Sequence, residues 1–137
     1  MVTALALCSV LLLVAVNALF VATEFALVAA RPTVLADAAE RGSRAASRAL
    51  RARRDLRLQM SGAQLGITAS SIALGVLAEP AIGGLLEDRF SVVAVPEGAA
   101  DTASWVAAIG LAAVIQMLFG ELVPKNLAIA APERTLR

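Results

Sequence analysis

The 137-residue sequence contains no histidine and no tyrosine, and Cys8 is its only cysteine. A lone thiol cannot build a disulfide framework. Without histidine there is no Cys/His zinc site and no catalysis that turns on an imidazole or a Cys/His pair. No lysine or arginine precedes Arg31. The first block therefore lacks the basic leader of a cleaved signal peptide, and its apolar stretch is too long for one. Leu7 is too large for the position before a lipoprotein cysteine, so Cys8 reads as ordinary apolar filler. The basic run from Arg31 to Arg57 holds no aromatic residue, so nucleic-acid binding has little support, and a topology signal beside a membrane span explains the run better. What is abundant is apolar: 59% of the residues are hydrophobic, against about 45–50% in a soluble domain.

The excess falls in blocks. Met1 to Ala30, Leu58 to Ala78, and Ala103 to about Phe119 with its continuation to Ala131 are each long enough for a spanning helix, which needs roughly 20 apolar residues. The fold class expected is an all-α membrane protein: three transmembrane helices plus amphipathic juxtamembrane helices. Between the first two spans, Pro32 opens a helix, Gly42 stops it, and Ser43 caps an alanine- and arginine-rich successor. Such helices lie along an anionic leaflet; a partner-docking surface is the alternative. Trp105 marks an interface at the start of the third span. No internal repeat, low-complexity linker or second domain is visible, so residues 1–137 read as one domain.

Polar residues inside these spans are few. The first carries Asn17, Thr23 and Glu24; Asn17 and Glu24 are seven apart and share a helix face. In the second, Gln64, Thr68, Ser71 and Gly75 recur at intervals of four, three and four, one stripe of a helix, with Ser70 beside it. Small and hydroxyl residues also serve plain helix packing. The third span contains Gly120-Glu121-Leu122-Val123-Pro124-Lys125-Asn126. A carboxylate at membrane depth marks a functional site by default. Pro124 has no N–H for the carbonyl four residues back, that of Gly120. A freed carbonyl beside a carboxylate suits a hard cation such as Mg²⁺ or Ca²⁺, which takes oxygen ligands. The plain alternative is a kinked helix end with Glu121 and Lys125 reaching to an interface. Glu24 has a similar alternative, pairing with Arg31 or a loop arginine.

The loops differ in sign. Arg31 to Arg57 holds eight arginines against Asp37, Glu40 and Asp55, a net +5; the second loop holds Glu79, Glu87, Asp88, Glu97 and Asp101 against Arg89, a net −4. Pro96-Glu97-Gly98 reads as a turn in that acidic loop. The positive-inside rule then places the first loop and the C-terminus in the cytoplasm and the N-terminus outside.

Four segments together carry a resemblance: Phe20-Val21-Ala22-Thr23-Glu24-Phe25-Ala26-Leu27, Gln64-Leu65-Gly66-Ile67-Thr68, Gly75-Val76-Leu77-Ala78-Glu79-Pro80 and Gly120-Glu121-Leu122-Val123-Pro124-Lys125. In this order they resemble the transmembrane domain of the CorC/cyclin-M (CNNM) magnesium transporters, hemolysin-C-like branch, over nearly the whole chain. The resemblance implies a homodimer in the bacterial inner (plasma) membrane that moves Mg²⁺ outward, coupled to Na⁺ entry. It also implies a cytoplasmic CBS-domain pair and C-terminal domain beyond these residues. The metal site it implies draws on Thr23, Glu24, Thr68, Ser71, Gly75, Gly120 and Glu121. Thr23 stands where the family has serine or threonine, and Thr68 and Ser71 where many members have asparagine; Glu121 matches the third-helix glutamate. Val21, Ile67 and Gly75 stand where others carry oxygen-bearing side chains.

Transport without enzymatic activity is the reading that follows. The alternative is a membrane-anchored regulatory or dimerisation module whose polar stripes only pack. An intramembrane enzyme is disfavoured, since two separate carboxylates define no dyad. The topology is open to direct test. In a Cys8→Ser background, single cysteines at Ser47 and Gly98 are expected to react with an impermeant thiol reagent from opposite sides. Labelling of both from one side is incompatible with three spans, and labelling of Ser47 from outside inverts the orientation.

Overall fold

A computed structural model describes residues 2–78 and 97–136. Among the described residues there are only helices. In chain order they are α1 (Val2–Ala29), α2 (Pro32–Glu40), α3 (Arg44–Arg54), α4 (Leu56–Ala78), α5 (Glu97–Ile115), a π-helical segment (Gln116–Leu122), α6 (Val123–Ala130) and α7 (Pro132–Thr135). Three stretches are long and apolar enough to cross a membrane: Ala4–Ala29, Leu56–Leu77 and Trp105–Ala130. These are the three expected spans. The turn expected at Pro96-Glu97-Gly98 is only half described: Pro96 lies outside the described residues, and Glu97 and Gly98 already belong to α5.

The long helix α1 is the hub. It packs against α4 on one side and against the π-helical segment and α6 on the other. Near its start, Val10 and Val14 join Leu74 of α4 and Ala108 and Ala112 of α5 in a buried apolar cluster. The outward faces stay apolar: Leu12, Leu19, Leu65, Ile72, Val76 and Phe119 are all exposed. This is expected of helices whose solvent is hydrocarbon, where association rests on close packing and interhelical hydrogen bonds.

At the other end of α1 the chain leaves the apolar layer and builds a second cluster. Ala30 meets Leu35 and Ala38 of α2 and Ala46 and Ala49 of α3, with Leu136 packed against them. The α2–α3 reversal follows the expected signals. Gly42 takes φ 90°, and its N–H donates to the Ala39 carbonyl at 2.9 Å while Ser43 N–H donates to that of Ala38 at 3.0 Å. This is the pairing that satisfies the last carbonyls of a helix. The Ser43 hydroxyl in turn accepts from Ala46 N–H at 3.2 Å, capping α3. Two tethers fix this layer to the spans. Arg53 donates to the Leu27 carbonyl at the end of α1. Arg31 donates through both its backbone N–H and Nε to Glu133 Oε1, at 3.2 and 3.1 Å. The hydrogen bond from Glu133's own backbone N–H, then those from the Arg31 N–H and guanidinium, hold the Glu133 carboxyl below the ordinary carboxylate range.

Where α1 and α4 cross, Gly66 lies under the Phe20 ring. A Cβ there would meet the ring carbons at 2.5–2.6 Å, so glycine sets the approach of the two helices. Gly66→Val is expected to lower stability by about 1–3 kcal/mol through overpacking. Thermal denaturation in detergent checks this. Gly62→Val, at a position with open space around its Cβ, is the comparison and is expected to lose less.

Candidate functional site

Pro124 decides the geometry of the third span. Lacking an N–H, it cannot donate to the Gly120 carbonyl in the α-helical pattern. The chain widens instead into the π-helical segment, where Val123 N–H donates to the Leu118 carbonyl, five residues back. Single π turns of this kind inside α-helices recur at functional positions. The Gly120 carbonyl was expected to be left free. It is not: Asn17 of α1 donates to it from Nδ2 at 3.0 Å, in a buried position. Asn17 is completely buried, and its Oδ1 accepts from the Ser70 hydroxyl of α4 at 2.8 Å. One asparagine thus links all three spans at one level. Ser70 also lies 2.7 Å from the Gly66 carbonyl, within hydrogen-bond reach of its own helix.

Gln116, at the first position of the π-helical segment, is the next polar group inward. Its Nε2 donates to Ser71 Oγ of α4 at 3.2 Å. Its Oε1 is buried with no hydrogen-bond partner, the kind of group that is costly in an apolar surround. Gly120 makes this arrangement possible: a Cβ there would lie 2.8 Å from Gln116 Oε1 and 3.2 Å from Asn17 Nδ2.

The two carboxylates take different places. Glu24 is buried on α1, and Gln64 of α4 donates to its Oε1 at 3.5 Å, a long contact. Glu121, exposed on the π-helical segment, lines a groove of about 240 Å³ with Val21, Phe25, Ile67, Leu122 and Lys125. The Lys125 ammonium sits 4.7 Å from the centre of the Phe25 ring, a cation–π distance. A second groove, about 220 Å³, lies between α4 and α5 and is lined by Ser71, Leu74, Gly75, Ile109, Ala112, Ala113 and Gln116.

The seven residues expected to surround an ion are therefore distributed. Glu121 faces one groove, Ser71 and Gly75 the other, and the Gly120 carbonyl and Glu24 are engaged between helices. Thr23 and Thr68 are exposed, and their hydroxyls return to their own helix at the carbonyls of Leu19 (2.7 Å) and Gln64 (2.9 Å). Among the described residues no three acidic or cysteine side chains converge as a metal cluster would require. Val21 and Ile67, two of the three positions where the resemblance had shown an oxygen-bearing side chain replaced, line the groove of Glu121.

Comparison with known proteins gives this geometry its family. The cyclin M transmembrane N-terminal domain matches residues 7–137. The chain belongs to that family. The cyclin M domain is similar to an uncharacterized protein of Mycobacterium tuberculosis, at 44% identity over 91% of this chain and 35% of the relative. It is likewise similar to the UPF0053 protein YhdT of Bacillus subtilis, at 39% identity over 89% of this chain and 26% of that protein. A UPF0053 protein of Synechocystis shares 30% identity over 90% of the chain and 28% of its own length. The chain spans about a third or less of the curated relatives it matches.

Three members of the polar centre of this cyclin M domain were not among the expected ion ligands: Asn17, Ser70 and Gln116. Asn17 had a signal, since it shares a helix face with Glu24. Ser70 stood next to the α4 stripe rather than on it. Gln116 had none beyond being an amide in an apolar run, because its role depends on the π turn that aims it. Replacing Asn17 with leucine strands the Gly120 carbonyl in an apolar interior. A loss of about 1–2 kcal/mol is expected, measured as a lower melting midpoint in detergent. Thr68→Val, which removes a hydroxyl bonded only to its own helix, is expected to change the midpoint far less.

Proposed function

We propose that this domain moves a hard divalent cation, Mg²⁺, across the bilayer, with Glu121 as the charged ligand on the path. The observation that carries the reading is Glu121 itself: an ionisable side chain beside a π-helical break, at the mouth of a groove formed between three spans. Such groups are retained in membrane segments when they serve an ion path. Membership of the cyclin M family supports the same direction. Mg²⁺ sheds water reluctantly and takes about six oxygens in near-octahedral geometry. Glu121 alone does not meet that demand, so the ion keeps most of its water here or gathers ligands as the helices move. Ser71 of α4 and the Gly120 carbonyl, next to Glu121 on the π-helical segment, are the oxygens to be recruited on this reading, with Thr23, Glu24, Thr68 and Gly75 as further contributors. Outward transport coupled to Na⁺ entry, a homodimeric assembly, an N-terminus outside and a C-terminus in the cytoplasm, and CBS domains elsewhere in the longer protein complete it.

A second reading has its own supporting observation. Val21 and Ile67 make the Glu121 groove largely apolar, and both threonines bond to their own helices. A membrane-anchored regulatory or dimerisation module without transport would look like this. Flux separates the two. In proteoliposomes, Glu121→Gln is expected to abolish uptake of Mg²⁺ read by an entrapped Mg²⁺-sensitive dye, while leaving the melting midpoint close to that of the unaltered protein. Mg²⁺ is also expected to raise the midpoint of the unaltered protein by an amount that grows with its concentration. Equal flux in both proteins, or no flux in either, favours the module.

A further inference from the structure

The arginines of the α2–α3 layer are not consumed by the fold. Arg41, Arg44, Arg48, Arg51, Arg54 and Arg57 are exposed, and among the described residues none of them forms an ion pair; the single ion pair there joins Arg31 and Glu133. Their height is fixed. The Arg53 bond to the end of α1 pins α3 where the first span stops. The second span starts at Leu56, two residues after α3 ends. The exposed guanidinium groups are thus held at the boundary between the apolar layer and water.

Within this layer α3 covers a groove of about 220 Å³ built from four parts of the chain. Thr23 and Leu27 come from α1, Ala45, Arg48, Ala49 and Ala52 from one face of α3, Gln59 from the first turn of α4, and Leu136 from the end of the described chain. Its composition is graded. The lining is mostly small or apolar, with Leu27, Leu136 and three alanines, and Arg48 and Gln59 are its exposed donors. Arg44 and Arg51 stand one turn to either side of Arg48 along α3. Thr23 lies six residues before the end of the span, about 9 Å deep at 1.5 Å per residue, so the groove runs from the hydrocarbon layer up to the arginines.

We propose that this groove binds the headgroup of an anionic phospholipid. The phosphate pairs with Arg48 and its neighbours, and the Gln59 amide reaches the headgroup hydroxyls. The glycerol and the first acyl carbons lie on Leu27, Leu136 and the alanines. A guanidinium fork matches a phosphate with two parallel hydrogen bonds. The grading from apolar floor to cationic rim fits a lipid better than an acidic peptide, which would place backbone polar groups against Leu27 and alanine without partners. The site lies on the opposite side of α1 residues 23–27 from the Glu121 groove's Val21 and Phe25; Thr23 is the residue it shares with those proposed for the ion, and the lipid contacts do not use it.

The test uses the purified protein in mixed micelles with phosphatidylglycerol, phosphatidylcholine or inorganic phosphate. Phosphatidylglycerol is expected to raise the melting midpoint progressively with its concentration, while phosphatidylcholine and inorganic phosphate do not. Arg48→Gln is expected to raise about fivefold the phosphatidylglycerol concentration needed for a given midpoint shift, the effect of one arginine at an anionic surface. Arg41→Gln, outside the groove, is expected to leave it unchanged. Native mass spectrometry gives an independent readout: the folded Arg48→Gln protein is expected to retain fewer phosphatidylglycerol molecules than the unaltered protein under equal activation. The proposal is overturned if phosphatidylcholine stabilises equally, if inorganic phosphate reproduces the effect, or if Arg41→Gln and Arg48→Gln weaken it alike. The last result would mean a diffuse attraction to charged lipid rather than a site.

Discussion

A backbone carbonyl inside an apolar layer must find a donor, because no water is there to supply one. In this protein the constraint acts at Gly120. Pro124 withdraws the α-helical donor, and the third span responds by widening into a π turn and turning that carbonyl toward Asn17. Asn17 is held in place by Ser70. The contact that repairs the third helix is therefore the same contact that fixes its rotation against α1 and α4. The positions of Gln116 and Glu121 on the π turn follow from it.

This gives the polar centre two halves with different character. In the inner half, Asn17, Ser70, Gly120 and Gln116 are buried and Ser71 is half-buried, and the group is hydrogen-bonded, with Gln116 Oε1 as the exception. Such a network holds helices in register in a medium where apolar side chains gain nothing by leaving lipid for one another. The outer half, around Glu121, is a groove with a charged rim and an apolar wall. The juxtamembrane layer is separate again. It is held to α1 by Arg53 and to α7 by the Arg31–Glu133 pair, and its remaining arginines face outward.

Much of the architecture was legible in the order of residues. Three apolar blocks gave three spans, since span length follows from bilayer thickness. Gly42 and Ser43 gave the α2–α3 reversal, since the left-handed turn and the capping hydroxyl are local demands met within a few residues. Four short segments in sequence order pointed to the cyclin M family, and the match over residues 7–137 shows it. The break at Pro124 was also legible, since a missing N–H is a property of one residue.

What Pro124 would cause was not. Whether a freed carbonyl meets an ion, water or a side chain depends on which face of α1 turns toward it, and that is set by packing across more than 100 residues of sequence. The same holds for the seven expected ligands. Helical spacing placed Thr68 and Ser71 on one stripe of α4, yet Ser71 meets Gln116 while Thr68 faces outward. A stripe covers a wide arc of a helix, and only the rotation of each helix against its neighbours selects the part that is enclosed. The sequence by itself determined the spans, their breaks and their charged flanks, because these depend on composition and local stereochemistry. The tertiary structure alone decided which polar groups meet, because interhelical hydrogen bonds are tolerant in position and demanding in direction.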